Sequence, residues 1–141
     1  MSALTSFRQA SGLFWLLTAL AGLVGLCAAC STPPASQKLT GRADIGQRLY
    51  NENCLECHAI DHHRIGPLHQ GVVGRIAGTA PGYDYSTGLK RLGKTGLRWT
   101  PETLDRWLTD PDAYVQNQQM DFSVPDPQDR ADLIAYLATL K

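Results

Sequence analysis

Surplus charge is the first thing this 141-residue chain lacks: thirteen lysines and arginines balance thirteen aspartates and glutamates. A nucleic-acid partner needs a basic excess to displace counterions, so none is expected. No stretch alternates apolar and polar residues over a strand's length, no βαβ pattern is present and no segment repeats another. Helices are therefore the expected regular elements. Methionine is scarce, with only Met1 and Met120, and cysteine occurs at four positions, 27, 30, 54 and 57. Charge is nearly absent before Lys38, where Arg8 stands alone, and residues 13–29 hold Thr18 as their only polar side chain. Such a run is a signal-peptide core or a marginal membrane span.

What is present is concentrated in Cys54-Leu55-Glu56-Cys57-His58. Two thiols three residues apart, followed at once by an imidazole, form the attachment signature of a c-type haem. Positions i, i+3 and i+4 share one helical face, so Cys54, Cys57 and His58 can address one flat macrocycle. The thiols bond to its vinyl groups and His58 coordinates the iron. A zinc site needs a further ligand pair, and although His69 lies at a suitable distance, no histidine follows it. A redox dithiol of the thioredoxin kind is expected beside a βαβ pattern, which is missing. With Cys54 and Cys57 assigned to haem, no structural disulfide is expected.

The N-terminal 29 residues read as a signal peptide or membrane anchor, which implies export to an oxidising compartment, on the periplasmic side. Cleavage removes Arg8 and leaves twelve basic against thirteen acidic side chains. The junction Ala28-Ala29-Cys30 resembles a lipoprotein processing site, although Cys27 occupies the position where an aliphatic residue is usual. Lipidation at Cys30, plain cleavage after Ala29 and retention of the whole segment are the three outcomes, and the first or last ties the protein to a membrane. Residues 30–40 are a polar, proline-containing tether. The folded domain spans residues 41–141.

Within it, Ile45, Leu49 and Tyr50 form the stripe of a helix expected to run into the Cys-Leu-Glu-Cys-His segment. Glycines 66, 71, 74 and 78 then punctuate an irregular stretch that can approach a cofactor closely. A short helix is expected between residues 83 and 92, ended by Gly93. Thr100-Pro101-Glu102 announces a helix with Leu104, Trp107 and Leu108 on its apolar face, bounded by Pro111. Asp126-Pro127 opens the last, carrying Leu133, Ile134, Leu137 and Leu140. So few short helices bury too little apolar surface to be stable alone, and haem supplies the missing core. Met120, the only thioether left after signal cleavage, sits in the polar run Gln116-Asn117-Gln118-Gln119, an odd place for core filler. It is the candidate for the second axial position.

These residues together resemble the class I c-type cytochromes over nearly all of 41–141. The likeness rests on the attachment motif and on Ile65-Gly66-Pro67-Leu68, Gly71-Val72-Val73-Gly74-Arg75, Gly82-Tyr83-Asp84-Tyr85-Ser86, Trp99, Trp107-Leu108, Asp110-Pro111, Met120-Asp121-Phe122 and residues 129–137. It implies an all-α cytochrome c fold, three to four helices wrapped around one covalent haem c. It implies that the Pro67 carbonyl orients His58, that Arg75, Tyr85 and Trp99 approach a haem propionate, and that Gly46 and Tyr50 cross Leu133 and Tyr136. Where the family has Pro-Gly-Thr-Lys before its methionine, this chain has Gln116-Asn117-Gln118-Gln119, and Asn117 can take the left-handed conformation of the missing glycine. The resemblance gives no role to His62, His63 and His69, which are expected on the surface. The implied function is one-electron transfer between redox donor and acceptor proteins by a monomeric carrier, not an enzyme. A haem-bearing subunit of a larger membrane-bound oxidoreductase is the alternative.

Overall fold

The computed structural model describes residues 39–141. The signal or anchor segment, Cys30 and most of the tether lie outside the described residues. Among the described residues five helices occur, in the order α1 (Ala43–Asn53), α2 (Thr87–Lys94), α3 (Pro101–Thr109), α4 (Pro111–Tyr114) and α5 (Pro127–Leu137). The count exceeds the expected three to four by the single turn α4. Its origin is local: Asp110 closes α3, then turns its carboxylate to accept from the Ala113 N–H at 2.9 Å while Pro111 opens the new turn. A proline that ends one helix is equally suited to the first position of another. Helix α2 runs through Gly93 rather than ending there. The left-handed residue that closes it is Gly96, at φ 77°.

The remaining helix starts follow from their caps. Thr100 and Thr103 form a reciprocal capping box at α3, and the Asp126 side chain accepts from the Gln128 and Asp129 N–H groups at α5. Helix α1 takes its cap from a distant element. Arg42 makes no side-chain cap of its own; instead the buried Asp132 of α5 accepts from the Arg42 N–H at 2.7 Å, from its guanidinium at 2.9 Å and from Gln128 Nε2 at 2.8 Å. Burial pushes the Asp132 carboxyl up, but these hydrogen bonds outweigh it and hold the group below the usual carboxylate range.

That cap locates the crossing of α1 over α5, where Gly46 meets the Asp132 backbone and the Tyr50 and Tyr136 rings lie 5.2 Å apart. Leu133, Ile134, Tyr136 and Leu137 continue the core toward Leu104 and Trp107 of α3. Arg130, buried on α5, fastens α3 through Asp105 at 2.7 Å and the chain leading into α5 through the Val124 and Pro125 carbonyls, both at 2.9 Å. Helices α1, α3 and α5 thus form a frame whose connecting segments carry the site.

A Cβ at Gly46 would stand 1.9 Å from the Asp132 carbonyl oxygen and 2.9 Å from Tyr136 Cβ. Because the first obstacle is backbone, the helices must separate. Gly46→Ala should destabilise the folded protein by at least about 1–3 kcal/mol, the usual range for overpacking. Urea titration of the purified protein checks this: the midpoint should fall with unchanged slope, and an unchanged midpoint would show that the crossing is looser than described.

Candidate cofactor site

Helix α1 stops at Asn53, one residue short of the motif it was expected to enter. Its hydrogen-bond path continues nonetheless. Cys54 donates to the Tyr50 carbonyl at 2.8 Å, and its own carbonyl receives both the Cys57 N–H at 3.2 Å and the His58 N–H at 2.8 Å. One closing turn therefore gathers Cys54, Cys57 and His58, with both thiols free and half-buried. Burial, then the neighbouring Cys57, pushes the Cys54 thiol up to about 11. It is a neutral thiol, without the lowered pKa of a reactive redox cysteine.

His58 is fixed by its Nδ1, which donates to the Pro67 carbonyl at 2.7 Å. A carbonyl can only accept, so the proton resides on Nδ1 and the lone pair on Nε2, the arrangement a metal-binding imidazole needs. Burial holds the His58 pKa below its ordinary value, with Pro67 opposing, and keeps the ring neutral. Approach of the 66–67 backbone depends on Gly66, where a Cβ would lie 2.2 Å from His58 Cε1. The same backbone is held by Gly66 N–H donating to the Cys57 carbonyl at 2.8 Å and by Tyr83, whose hydroxyl donates to the Ile65 carbonyl at 2.5 Å. Two half-buried thiols and a tautomer-fixed imidazole on one turn fit a covalently attached, nitrogen-ligated macrocycle.

Arg75 and Trp99 are brought side by side by backbone pairing. Trp99 N–H donates to the Arg75 carbonyl at 2.9 Å, Gly74 N–H donates to the Trp99 carbonyl at 2.7 Å, and Ile76 and Arg98 form an antiparallel bridge beside them. Trp99 is buried against Trp107, centroids 5.7 Å apart. The Arg75 guanidinium donates to the Leu68 carbonyl at 3.2 Å and to that of Gln70. Tyr85 is half-buried against the core, its hydroxyl accepting from the Ala80 N–H at 3.3 Å.

Met120 packs, half-buried, against the core cluster. The loop before it lacks proline and glycine but is pinned by other means. Asn117 is the one non-glycine residue with positive φ among the described residues, at 59°, as its side-chain chemistry led us to expect. Its carbonyl accepts from Gly88 N–H at 3.2 Å, Arg91 donates to the Gln116 carbonyl at 3.1 Å, and Gln118 bridges Asp112 at 2.7 Å and the Met120 N–H. Two basic side chains near α2 are likewise engaged: Lys90 pairs with Asp84 at 2.6 Å and Arg98 donates to the Gly74 carbonyl at 2.8 Å.

The histidines divide three ways. His62 is exposed, beside Asp61. His63 is half-buried and joins two loops, with Nε2 on the Pro81 carbonyl at 2.8 Å and Nδ1 accepting from Leu68 N–H at 3.1 Å. His69 is half-buried rather than exposed as expected. Its ring stacks on that of His58, centroids 4.1 Å apart and planes 19° from parallel, and its Nδ1 lies 3.0 Å from the Tyr50 hydroxyl. Leu68 and Val72 on either side marked an apolar neighbourhood, but the polar partner of this half-buried ring sits 19 residues away on α1.

A family model described as Cytochrome c matches residues 43–141. Cytochrome c2 of Rhodopseudomonas palustris is 38% identical over 110 residues, spanning 68% of this chain and 96% of that protein. Cytochrome c-type cyt cy of Rhodobacter capsulatus is 43% identical over 105 residues, 72% of this chain but 51% of the longer relative. Among solved structures, ferricytochrome c2 from Rhodopseudomonas palustris superimposes with a TM-score of 0.68 at 37% identity, covering 71% of this chain and 99% of its own. Cytochrome cH from Methylobacterium extorquens gives 0.65 at 40% identity over 70% of this chain and 99% of that one.

Proposed function

The chain belongs to the cytochrome c family, carries one covalent haem c and is an electron carrier, not an enzyme; from that membership we propose how its own residues hold the haem. Cys54 and Cys57 would hold it through thioether links, and His58 and Met120 would ligate its iron. The observation that carries this reading is the His58–Pro67 hydrogen bond, which frees Nε2 one turn away from both thiols. When bound, the haem supplies an iron that takes up and releases a single electron.

The rest of the work belongs to the polypeptide. Pro67 keeps His58 in one tautomer and one orientation, so little rearranges when the site's charge changes. Met120 offers an uncharged sulfur, which favours the ferrous state and raises the potential. Its loop is held on α2 through Asn117 and Arg91 and on α4 through Gln118, which limits movement of the thioether. Arg75, Tyr85 and Trp99 would hold a propionate. The backbone pairing of Arg75 with Trp99 supports that grouping, and a guanidinium with five N–H donors can serve two carbonyls and still reach a carboxylate.

The partners are redox donor and acceptor proteins, and we place the protein, as a monomer, on the periplasmic side. The run at 13–29 directs export, Cys30 is the lipidated residue, 30–40 is the tether and 41–141 is the working domain. Relatives described as cytochromes c2 and cy agree with a bacterial redox chain.

Met120→Ala should abolish the weak near-infrared sulfur-to-iron band of the oxidised protein. The reduction potential should drop by a sizeable part of the about 0.8 V that axial ligands span. An unchanged band and potential would assign the position to another residue. For the anchor, intact mass of membrane-purified protein should show diacylglycerol on an N-terminal Cys30, whereas an unmodified chain starting near Cys30 would remove the lipid and leave electron transfer in place.

A further inference from the structure

His69 is held more firmly than its place in an irregular loop requires. Its backbone N–H donates to the Ala59 carbonyl at 3.0 Å, and the next N–H, of Gln70, donates to the Ile60 carbonyl at 2.7 Å. Arg75 grips the carbonyls on either side, those of Leu68 and Gln70. The Tyr50 hydroxyl, on a fully buried side chain, meets Nδ1 at 3.0 Å. That hydroxyl has no other partner among the described residues, and a buried polar group requires one. The segment is thereby clamped to the attachment turn on one side and to α1 on the other. The clamped ring lies against the face of His58, 4.1 Å away and 19° from parallel.

We propose that His69 is a positioning residue for the haem-ligating imidazole: backed by Tyr50, its ring forms the wall that fixes the plane in which His58 presents Nε2. This rests on the reading of His58 as axial ligand. Pro67 alone constrains one edge of the His58 ring, because a single hydrogen bond at Nδ1 leaves rotation about the Nδ1–carbonyl line open. A flat neighbour against the face removes that freedom. Offset stacking of two rings at this separation adds a modest attraction to the burial itself. Burial raises the Tyr50 pKa and keeps its hydroxyl protonated.

Proton NMR of the oxidised holoprotein reads the plane directly, since the spread of the four haem-methyl shifts follows the orientation of the axial imidazole. In wild type, a coordinated-imidazole signature with hyperfine-shifted His58 ring protons confirms the ligand; its absence would sink the ligand reading itself. With that signature present, His69→Leu should change the methyl spread, His69→Phe, which keeps a flat ring, should stay near wild type, and Tyr50→Phe should fall between. Methyl shifts in His69→Leu that superimpose on wild type, or a His69→Phe that departs as far as His69→Leu, would overturn the positioning role. Should His69→Leu yield no holoprotein, Tyr50→Phe decides: a wild-type pattern there overturns the proposal, and a shifted one supports it.

Discussion

Everything at the centre of this protein depends on the 2.7 Å hydrogen bond from His58 Nδ1 to the Pro67 carbonyl. It settles which nitrogen carries the proton, and so which keeps a free lone pair. It needs Gly66, because any side chain there would occupy the imidazole ring's own space. It also requires the 64–70 loop to be anchored from several directions, by Tyr83 on Ile65, by His63 accepting from the Leu68 N–H and by Arg75 on the carbonyls beside His69. The loop has little regular structure, yet its polar backbone groups are extensively paired, which is how an irregular segment comes to hold a precise geometry.

The helical frame serves the same end by different forces. The α1–α5 crossing sets where α1 ends and therefore where Cys54 begins, and the α3–α5 contact holds Trp107 behind Trp99. Two charged groups buried on α5 are both satisfied: Asp132 caps α1 and Arg130 ties down Val124 and Pro125. Leaving either unpaired would cost several kcal/mol, so each makes a particular register of the last helix obligatory. The Met120 loop illustrates substitution of means. Hydrogen bonds made by Gln118 and Arg91 and accepted by the Asn117 carbonyl stand in for the stiffness of the proline that the class I resemblance led us to expect.

Much of this was legible in the residues. Thr100-Pro101 and Asp126-Pro127 place two helix starts to the residue, because a cap and a first-position proline are local chemistry. The amphipathic spacing of Ile45, Leu49 and Tyr50 gives α1. Asn117 announces its own left-handed backbone. What escaped is non-local or too short to have a period. Helix α4 is a single turn, and four residues cannot display helical periodicity. The cap of α1 comes from 90 residues away. His69 looked like a surface histidine because its polar partner, Tyr50, was already assigned to the apolar stripe of α1, and only the folded chain brings that hydroxyl to the ring.

The central claim is that Cys54 and Cys57 carry one haem covalently. The most direct measurement is the mass of the purified mature protein after denaturation in acidified organic solvent. The expected result is a single species equal to polypeptide plus one haem, retaining visible absorbance on the chain, with Cys54→Ala/Cys57→Ala losing both. Free haem in the organic phase and a bare polypeptide mass from wild type would contradict it.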